Sequence, residues 1–149
     1  MEGFCMRNPF EMADELRRWA LSADEDLLNA SHALKLGRRC PLKTVCYHAQ
    51  QCVEMYLKSV LMLQRIRFPY THDIELLAGL LPGNKRPPLH RALQRQITRY
   101  AVVTRYPGEY EPLTLAEARE AVKVARRVRS WCRKLLPPAA LRKTGPKLK

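Results

Sequence analysis

The chain lacks any long apolar segment. Its longest run of apolar residues, 76–81, spans six positions and includes Gly79, whereas a helix that crosses a bilayer needs roughly 20. The first residues also lack the basic stretch followed by an apolar stretch that marks a secretory signal. These absences argue against a membrane protein and predict a cytoplasmic one.

The sequence is also short of the patterns that bind structural metals or nucleotide cofactors. The five cysteines form no Cys-x-x-Cys pair and the four histidines are scattered singly, so no metal site is predicted. The six glycines are scattered too, and no Gly-x-x-x-x-Gly-Lys loop, Gly-x-Gly-x-x-Gly fingerprint or His-Glu-x-x-His helix occurs. We therefore expect neither a resident cofactor nor a glycine-rich phosphate cradle.

Acidic residues are few and unevenly placed. The net charge is +13, and seven of the fourteen acidic residues lie within the first 26 positions, so the rest of the chain is strongly basic. Basic groups that neutralise phosphates release condensed counterions, which makes a nucleotide, RNA or DNA the expected partner. Charge alone leaves open the alternative of a Lys/Arg-rich surface that serves solubility.

What the chain does have is helical spacing of apolar residues. This spacing predicts four long helices over about 10–36, 42–64, 89–104 and 115–136, and a short one over 72–81. Thr71 is the predicted N-cap of the short helix, and Thr114 with Glu117 predicts a capping box at the start of the last one. No segment combines strand alternation with hairpin signals.

The predicted fold is therefore all-α, an up-down antiparallel four-helix bundle with an additional short helix. Residues 10–136 form this single domain, and a basic, disordered tail follows over 137–149. Cys46 and Cys52 fall within the apolar pattern of the second helix, where a free thiol behaves as a small hydrophobic side chain.

Polar residues interrupt the second helix, which is otherwise strongly apolar; they are His48, Gln51, Glu54 and Lys58. Glu54 and Lys58 are also compatible with a surface ion pair, and His48 with a neutral histidine bonded across the bundle. His72 and Asp73 stand at a predicted helix start, where backbone N–H groups bind anions, with simple capping as the alternative.

Three motifs in this order resemble the HEPN domain, named for higher eukaryotes and prokaryotes nucleotide-binding. They are Cys46-Tyr-His-Ala-Gln-Gln-Cys-Val-Glu-Met-Tyr-Leu-Lys-Ser-Val-Leu, Phe68-Pro-Tyr-Thr-His-Asp-Ile-Glu-Leu-Leu and Thr104-Arg-Tyr-Pro, within a resemblance that covers about 10–136. The resemblance implies an up-down helical bundle, a homodimer, and pairing with a minimal nucleotidyltransferase, often as toxin and antitoxin. It also implies a nucleotide or nucleic-acid site formed by His48, Gln51, Glu54, Lys58, His72, Asp73, Arg105 and Tyr106.

Many HEPN proteins are metal-independent ribonucleases with an Arg-x4–6-His motif near the final helices, in which Arg stabilises the phosphorane charge and His transfers a proton. This chain departs from that pattern, because no histidine follows His90. Only His72 has arginines at the required distance upstream, Arg65 and Arg67, and they lie in a different part of the chain. His72, Arg67 and Arg105 remain candidates for RNA cleavage, but the missing motif favours binding over catalysis.

Basic and aromatic residues late in the chain extend the predicted binding surface. The exposed side of the last helix carries Arg119, Lys123 and Arg126, and Tyr106 and Tyr110 offer faces on which bases can stack.

A third interpretation is a protein-interaction module. In that case His48, Glu54, His72 and Arg105 form a buried network that fixes the helix register.

Trp19 and Trp131 lie close to the apolar stripes of their helices and indicate a homodimer, with ordinary core packing as the alternative.

Overall fold

The computed structural model describes residues 8–142, and its regular structure in that range is entirely helical. The elements are α1 (Pro9–Leu34), α2 (Leu42–Leu63), α3 (Ile74–Leu80), α4 (Arg91–Val103), α5 (Leu115–Leu135) and α6 (Pro138–Leu141), with 3-10 turns at Gly37–Arg39 and Gly83–Lys85. The all-α prediction is confirmed. Among these helices none has the length and hydropathy that a bilayer-spanning segment requires.

Side-chain caps account for where several helices begin. The predicted capping box at α5 is confirmed: Thr114 accepts a hydrogen bond from the backbone N–H of Glu117, whose carboxylate accepts one from the backbone of Thr114. The predicted cap of the short helix is wrong. Asp73 caps α3 by accepting from the N–H of Leu76, whereas the Thr71 hydroxyl accepts from the N–H of Asp73. A carboxylate at this position competes better for the helix N-terminus than a hydroxyl, so α3 starts two residues later than the pattern suggested.

The chain reverses sharply after α2. Arg65 adopts a left-handed backbone conformation with φ of 56°, and the N–H of Ile66 donates to the carbonyl of Leu61 at 2.9 Å. This arrangement satisfies the last carbonyls of the helix. It also directs residues 68–72 back along α2, where Phe68 packs against the core.

Helix α2 is the centre of the molecule. Fourteen of its 22 residues are buried, because it packs against α1, α3, α4 and α5 at once. Helix α5 runs parallel to it. Leu42 at the start of α2 lines one cavity with Leu113 just before α5, and at the other end the Cys132 thiol lies against the Tyr56 carbonyl. Alanines on α5 allow this close approach; they are Ala118, Ala121 and Ala125, all buried.

The cysteines in the described range are buried free thiols, as expected for Cys46 and Cys52. Burial raises the pKa of the Cys46 thiol to about 12 and raises that of Cys52 well above its ordinary value. Both thiols are therefore protonated at neutral pH and act as core side chains.

The prediction of a disordered segment from residue 137 is wrong for its first part. Pro137 and Pro138 end α5 but open a further turn, α6, in which Ala140 is only 1% exposed. Proline at the first helical position is compatible with a helix start, and the apolar side chains that follow pack against α1. The rest of the predicted tail, 143–149, lies outside the described residues.

A carboxylate on α1 joins three helices. Asp24 accepts hydrogen bonds from the hydroxyl of Tyr56 on α2 and from Nε of Arg129 on α5, the latter at 2.7 Å. Tyr56 is fully buried, and burial together with the neighbouring carboxylate raises the pKa of its hydroxyl. This network holds α1 against the central α2–α5 pair.

Tyr56→Phe tests that network, because it removes the hydroxyl and keeps the ring. A hydrogen bond to a charged group stabilises a protein more than a neutral one does, so we expect the free energy of unfolding to fall by about 2 kcal/mol. The matched control is Tyr100→Phe, whose buried hydroxyl accepts a hydrogen bond from Gln96 and whose loss should cost about 1 kcal/mol. Urea denaturation followed by circular dichroism measures both. An equal or smaller loss for Tyr56→Phe would contradict the role given to Asp24.

Candidate functional site

A buried carboxylate lies at the centre of the candidate site. Glu54 on α2 is 4% exposed, and it accepts hydrogen bonds from three side chains: Lys58 Nζ at 2.7 Å, Gln50 Nε2 at 2.7 Å and His72 Nδ1 at 2.9 Å. Gln50, Glu54 and Lys58 are four residues apart, so they follow one line along the helix. We call these residues, with His72 and Arg105, the Glu54 cluster.

Glu54 is ionised at neutral pH despite its position. Burial raises the pKa of its carboxyl group, but the hydrogen bonds from Lys58, Gln50 and His72 outweigh this effect and hold the pKa below its ordinary value. The alternative of a surface ion pair between Glu54 and Lys58 is therefore wrong in its location: the pair exists, and it is buried.

His72 connects this buried charge to the surface. Its Nδ1 faces Glu54, and its Nε2 lies 2.9 Å from Nη1 of Arg105. Because a guanidinium group only donates, Nε2 must be the unprotonated nitrogen, and the proton on Nδ1 is donated to Glu54. The His72 side chain is 30% exposed, and Arg105, which follows the end of α4, is exposed.

Aromatic rings lie near both cations of the cluster. Lys58 Nζ lies 5.8 Å from the ring centroid of Phe68 and 5.9 Å from that of Tyr70. The guanidinium carbon of Arg105 lies 5.6 Å from the ring centroid of Tyr47. Tyr70 packs edge-on against His72 and is 94% exposed, so its face is open to a ligand.

A cleft of about 320 Å³ adjoins the cluster and contains His48. Its lining residues are Lys43, Thr44, Tyr47, His48, Thr104 and Arg105, and we call it the His48 cleft. Nδ1 of His48 lies 2.7 Å from Oδ1 of Asp26 on α1, which is the bond across the bundle that we considered for this histidine. Burial raises the pKa of Asp26, although the hydrogen bond from His48 opposes the shift, and nearby Glu25 and Glu54 raise it further.

The structure brings together some of the predicted site residues and leaves others apart. Gln51 reaches the cluster indirectly, because its amide donates to Oε1 of Gln50 at 2.7 Å. Asp73 is occupied as the cap of α3. The other predicted residues are exposed side chains that form no hydrogen bond or ion pair with the Glu54 cluster within residues 8–142: Arg67, Tyr106, Tyr110, Arg119, Lys123 and Arg126.

Three residues that matter here were not predicted from the sequence. Gln50 lies four positions before Glu54, a spacing that does indicate a shared helix face. Tyr47 shares a polar stripe of the second helix with Gln51, Glu54 and Lys58 by its spacing, although it was not among the predicted site residues. Asp26 carried no such signal, because its role depends on which helices pack together. In the described part of the chain, no group of three or more His, Cys, Asp or Glu residues is placed to hold a metal ion.

The fold belongs to a known class of helical domain. The HEPN domain family model matches residues 16–135, so the chain belongs to the HEPN family. Membership supports a function related to nucleotides or nucleic acids. No curated protein matches the chain.

Two solved structures are similar over most of their length. TT1696 from Thermus thermophilus is 28% identical, with a TM-score of 0.65, and the match covers 81% of this chain and 98% of that one. ST0689, an archaeal HEPN homologue, is 22% identical, with a TM-score of 0.59 and coverage of 82% and 98%. The second likeness shows the fold alone.

Lys58→Met tests how strongly the buried carboxylate depends on its cation. Removing one partner of a buried ion pair costs about 3–5 kcal/mol, so we expect a loss of that size in the free energy of unfolding at neutral pH. The control, Arg95→Met, breaks the exposed pair of Arg95 with Glu75, and should cost at most about 1 kcal/mol. Chemical denaturation measures both, and equal losses would show that Glu54 does not need Lys58.

The Glu54–Lys58 pair also predicts how the stability of the protein depends on pH. Since the pKa of Glu54 is lower in the folded chain than its ordinary value of 4.5, its contribution is complete above that value and is lost as the pH falls through the folded pKa. The stability difference between wild type and Lys58→Met should therefore shrink in acid.

Proposed function

We propose that this protein binds the phosphate groups of RNA or nucleotides at the exposed end of the Glu54 cluster. The observation that carries the proposal is the contact between Arg105 and His72 at 2.9 Å. It places an exposed guanidinium group on a histidine that a buried carboxylate holds in position. Guanidinium groups bind phosphate oxygens in a bidentate manner.

The surroundings of Arg105 fit a nucleotide better than a free anion. Lys43 is exposed in the same cleft and adds a second positive charge. The ring of Tyr47 lies near Arg105 and the ring of Tyr70 lies against His72. Aromatic faces stack with bases of any sequence. The interaction-module alternative is less well supported, because the network ends in exposed groups.

The basic residues on the exposed side of α5 have a different role, which is to attract the ligand rather than to bind it specifically. Arg119, Lys123 and Arg126 are exposed, and Arg126 donates to the hydroxyl of Ser31 on α1. They form no hydrogen bond with the cluster within the described residues. With a net charge of +13, such residues attract a polyanion at long range without selecting it.

Arg105→Ala tests the binding proposal. We expect the affinity for a fluorescently labelled single-stranded RNA to fall about tenfold, and the slope of log affinity against log salt to decrease by about one phosphate contact. Arg91→Ala is the matched control, because it removes the same charge from the opposite end of α4, about 20 Å away by helix rise. Fluorescence anisotropy measures both. Equal losses would mean that only overall charge matters, and affinity independent of salt would contradict phosphate binding.

A second function, metal-independent RNA cleavage, is favoured by the pairing of His72 with Glu54. A carboxylate on Nδ1 orients the ring and fixes the tautomer in which Nε2 accepts a proton. A phosphate that binds Arg105 competes with Nε2 for the guanidinium group, which frees this nitrogen for a substrate 2′-hydroxyl. Arg105 then neutralises the charge that develops on phosphorus.

Incubation of RNA with the protein in EDTA tests this second function. We expect cleavage by the wild type, and a loss of about 100-fold or more in His72→Ala, since proton transfer by a positioned side chain contributes that much. His32→Ala, which removes an exposed histidine at the end of α1, should cleave as the wild type does. Equal cleavage by all three proteins would indicate a contaminating nuclease.

The remaining elements of the proposal rest on the family resemblance. They are a minimal nucleotidyltransferase as partner in a toxin–antitoxin-like pair, and a homodimer. The proposed cytoplasmic location rests instead on the lack of a long apolar segment in the sequence. Trp19 and Trp131 are partly buried against the core, which agrees with the alternative of ordinary core packing. The outer face of α1 leaves Phe10, Leu21 and Leu28 exposed, which is compatible with a second copy.

A further inference from the structure

Two histidines lie beside Arg105, and each is held by a carboxylate through Nδ1. Glu54 holds His72 at 2.9 Å, and Asp26 holds His48 at 2.7 Å. Arg105 contacts His72 directly and also lines the cleft that contains His48. Both rings are thus positioned around one phosphate-binding group.

The two rings differ at their second nitrogen. Nε2 of His72 accepts from Arg105 and so carries no proton. Nε2 of His48 has no hydrogen-bond partner within residues 8–142, and its ring borders the cleft.

The two carboxylates also differ in their neighbours. Glu54 is already neutralised by Lys58, whereas in the described range Asp26 forms an ion pair with His48 and with no lysine or arginine. Asp26 therefore has the His48 ring as its ion-pair partner and holds it through Nδ1, which leaves Nε2 for a ligand.

We propose that His48, held by Asp26 beside Arg105, is the proton donor to the leaving group, and that His72 is the proton acceptor, in cleavage of single-stranded RNA. This inference rests on the cleavage activity proposed above. It adds a second proton-transfer group, from a helix that carries no part of the ribonuclease motif of the family.

The reaction needs no further reactant. The 2′-oxygen attacks the adjacent phosphorus and its proton passes to Nε2 of His72, while Arg105 binds the non-bridging oxygens. The bond between phosphorus and the 5′-oxygen breaks, and that oxygen takes the proton from Nε2 of His48. The products are a 2′,3′-cyclic phosphate and a 5′-hydroxyl, and the proton returns from His72 to His48 through water.

The competing explanation is that His48 only ties α2 to α1 through Asp26. The two roles predict different effects of replacing His48 when the leaving group of the substrate is changed. Thiolate is a good leaving group without protonation, so a substrate in which sulfur replaces the bridging 5′-oxygen does not need the donor. A structural defect, in contrast, slows cleavage of both substrates.

The experiment compares a single-stranded RNA with its 5′-bridging phosphorothiolate analogue, in EDTA. We expect His48→Ala to slow cleavage of ordinary RNA about 100-fold or more and to cleave the sulfur substrate nearly as fast as the wild type. His72→Ala should slow both substrates, and the control His32→Ala neither. His48→Asn, whose amide can still donate to Asp26, should behave as His48→Ala does while keeping the tie between the helices.

Every other outcome contradicts one of three statements: the proton-donor role of His48, the cleavage activity or the phosphate binding. Equal slowing of both substrates by His48→Ala and His48→Asn, or no slowing at all, overturns the proton-donor role while His72-dependent cleavage stands. A wild type that binds a 2′-deoxy analogue in fluorescence anisotropy but cleaves neither substrate overturns the cleavage activity, and with it the role of His48, but leaves phosphate binding intact. A wild type that does not bind the analogue overturns the proposed function itself.

Discussion

The candidate site depends on the burial of one charge, the carboxylate of Glu54. Removing a carboxylate from water costs several kcal/mol unless donors replace the lost solvent. Lys58 and Gln50 come from the same helix, but the third donor, His72, comes from the connection that follows. The need to satisfy this carboxylate therefore fixes the α2–α3 connection against α2. It also leaves the second nitrogen of His72 facing outward, where Arg105 meets it.

Two carboxylate networks in the molecule show the difference between a structural and a functional arrangement. Asp24 is held by Tyr56 and Arg129, and its partners are committed to joining α1, α2 and α5. The Glu54 cluster begins in the core but ends in an exposed guanidinium group beside a cleft. In the first network the guanidinium group of Arg129 is partly exposed, but its hydrogen bonds in the described range go to Asp24. In the second, the guanidinium group of Arg105 lines a cleft. We place function in the second for this reason.

Much of the fold could be predicted from the sequence, because helical periodicity and caps are local. The Thr114–Glu117 box and all four long helices follow from residues within a few positions of each other. Thr71 and Asp73 compete for one cap over two residues, and composition alone did not decide between them. The turn at α6 was missed because the two prolines and the basic tail indicated a disordered segment, whereas Ala140 and Leu141 are ordered by packing against the core.

The site was less predictable, because its contacts join distant segments. Glu54 and Lys58 have the spacing of an ordinary surface pair, and only the packing of α2 at the centre shows them to be buried. His72 and Arg105 were both identified, but the bond between them depends on how α4 ends beside the α2–α3 connection. Asp26 could not be identified at all, since nothing near it in the sequence indicates His48 as its partner.

The division of the site between a helix and two connections has an evolutionary consequence. Glu54 and Lys58 belong to the most enclosed helix, where substitution endangers folding. His72 and Arg105 belong to connecting segments, which tolerate insertion and replacement more readily than helices do. A lineage built on this scaffold can therefore exchange the groups that meet the ligand while it retains the charged anchor beneath them. Divergent chemistry on one conserved framework is the expected result.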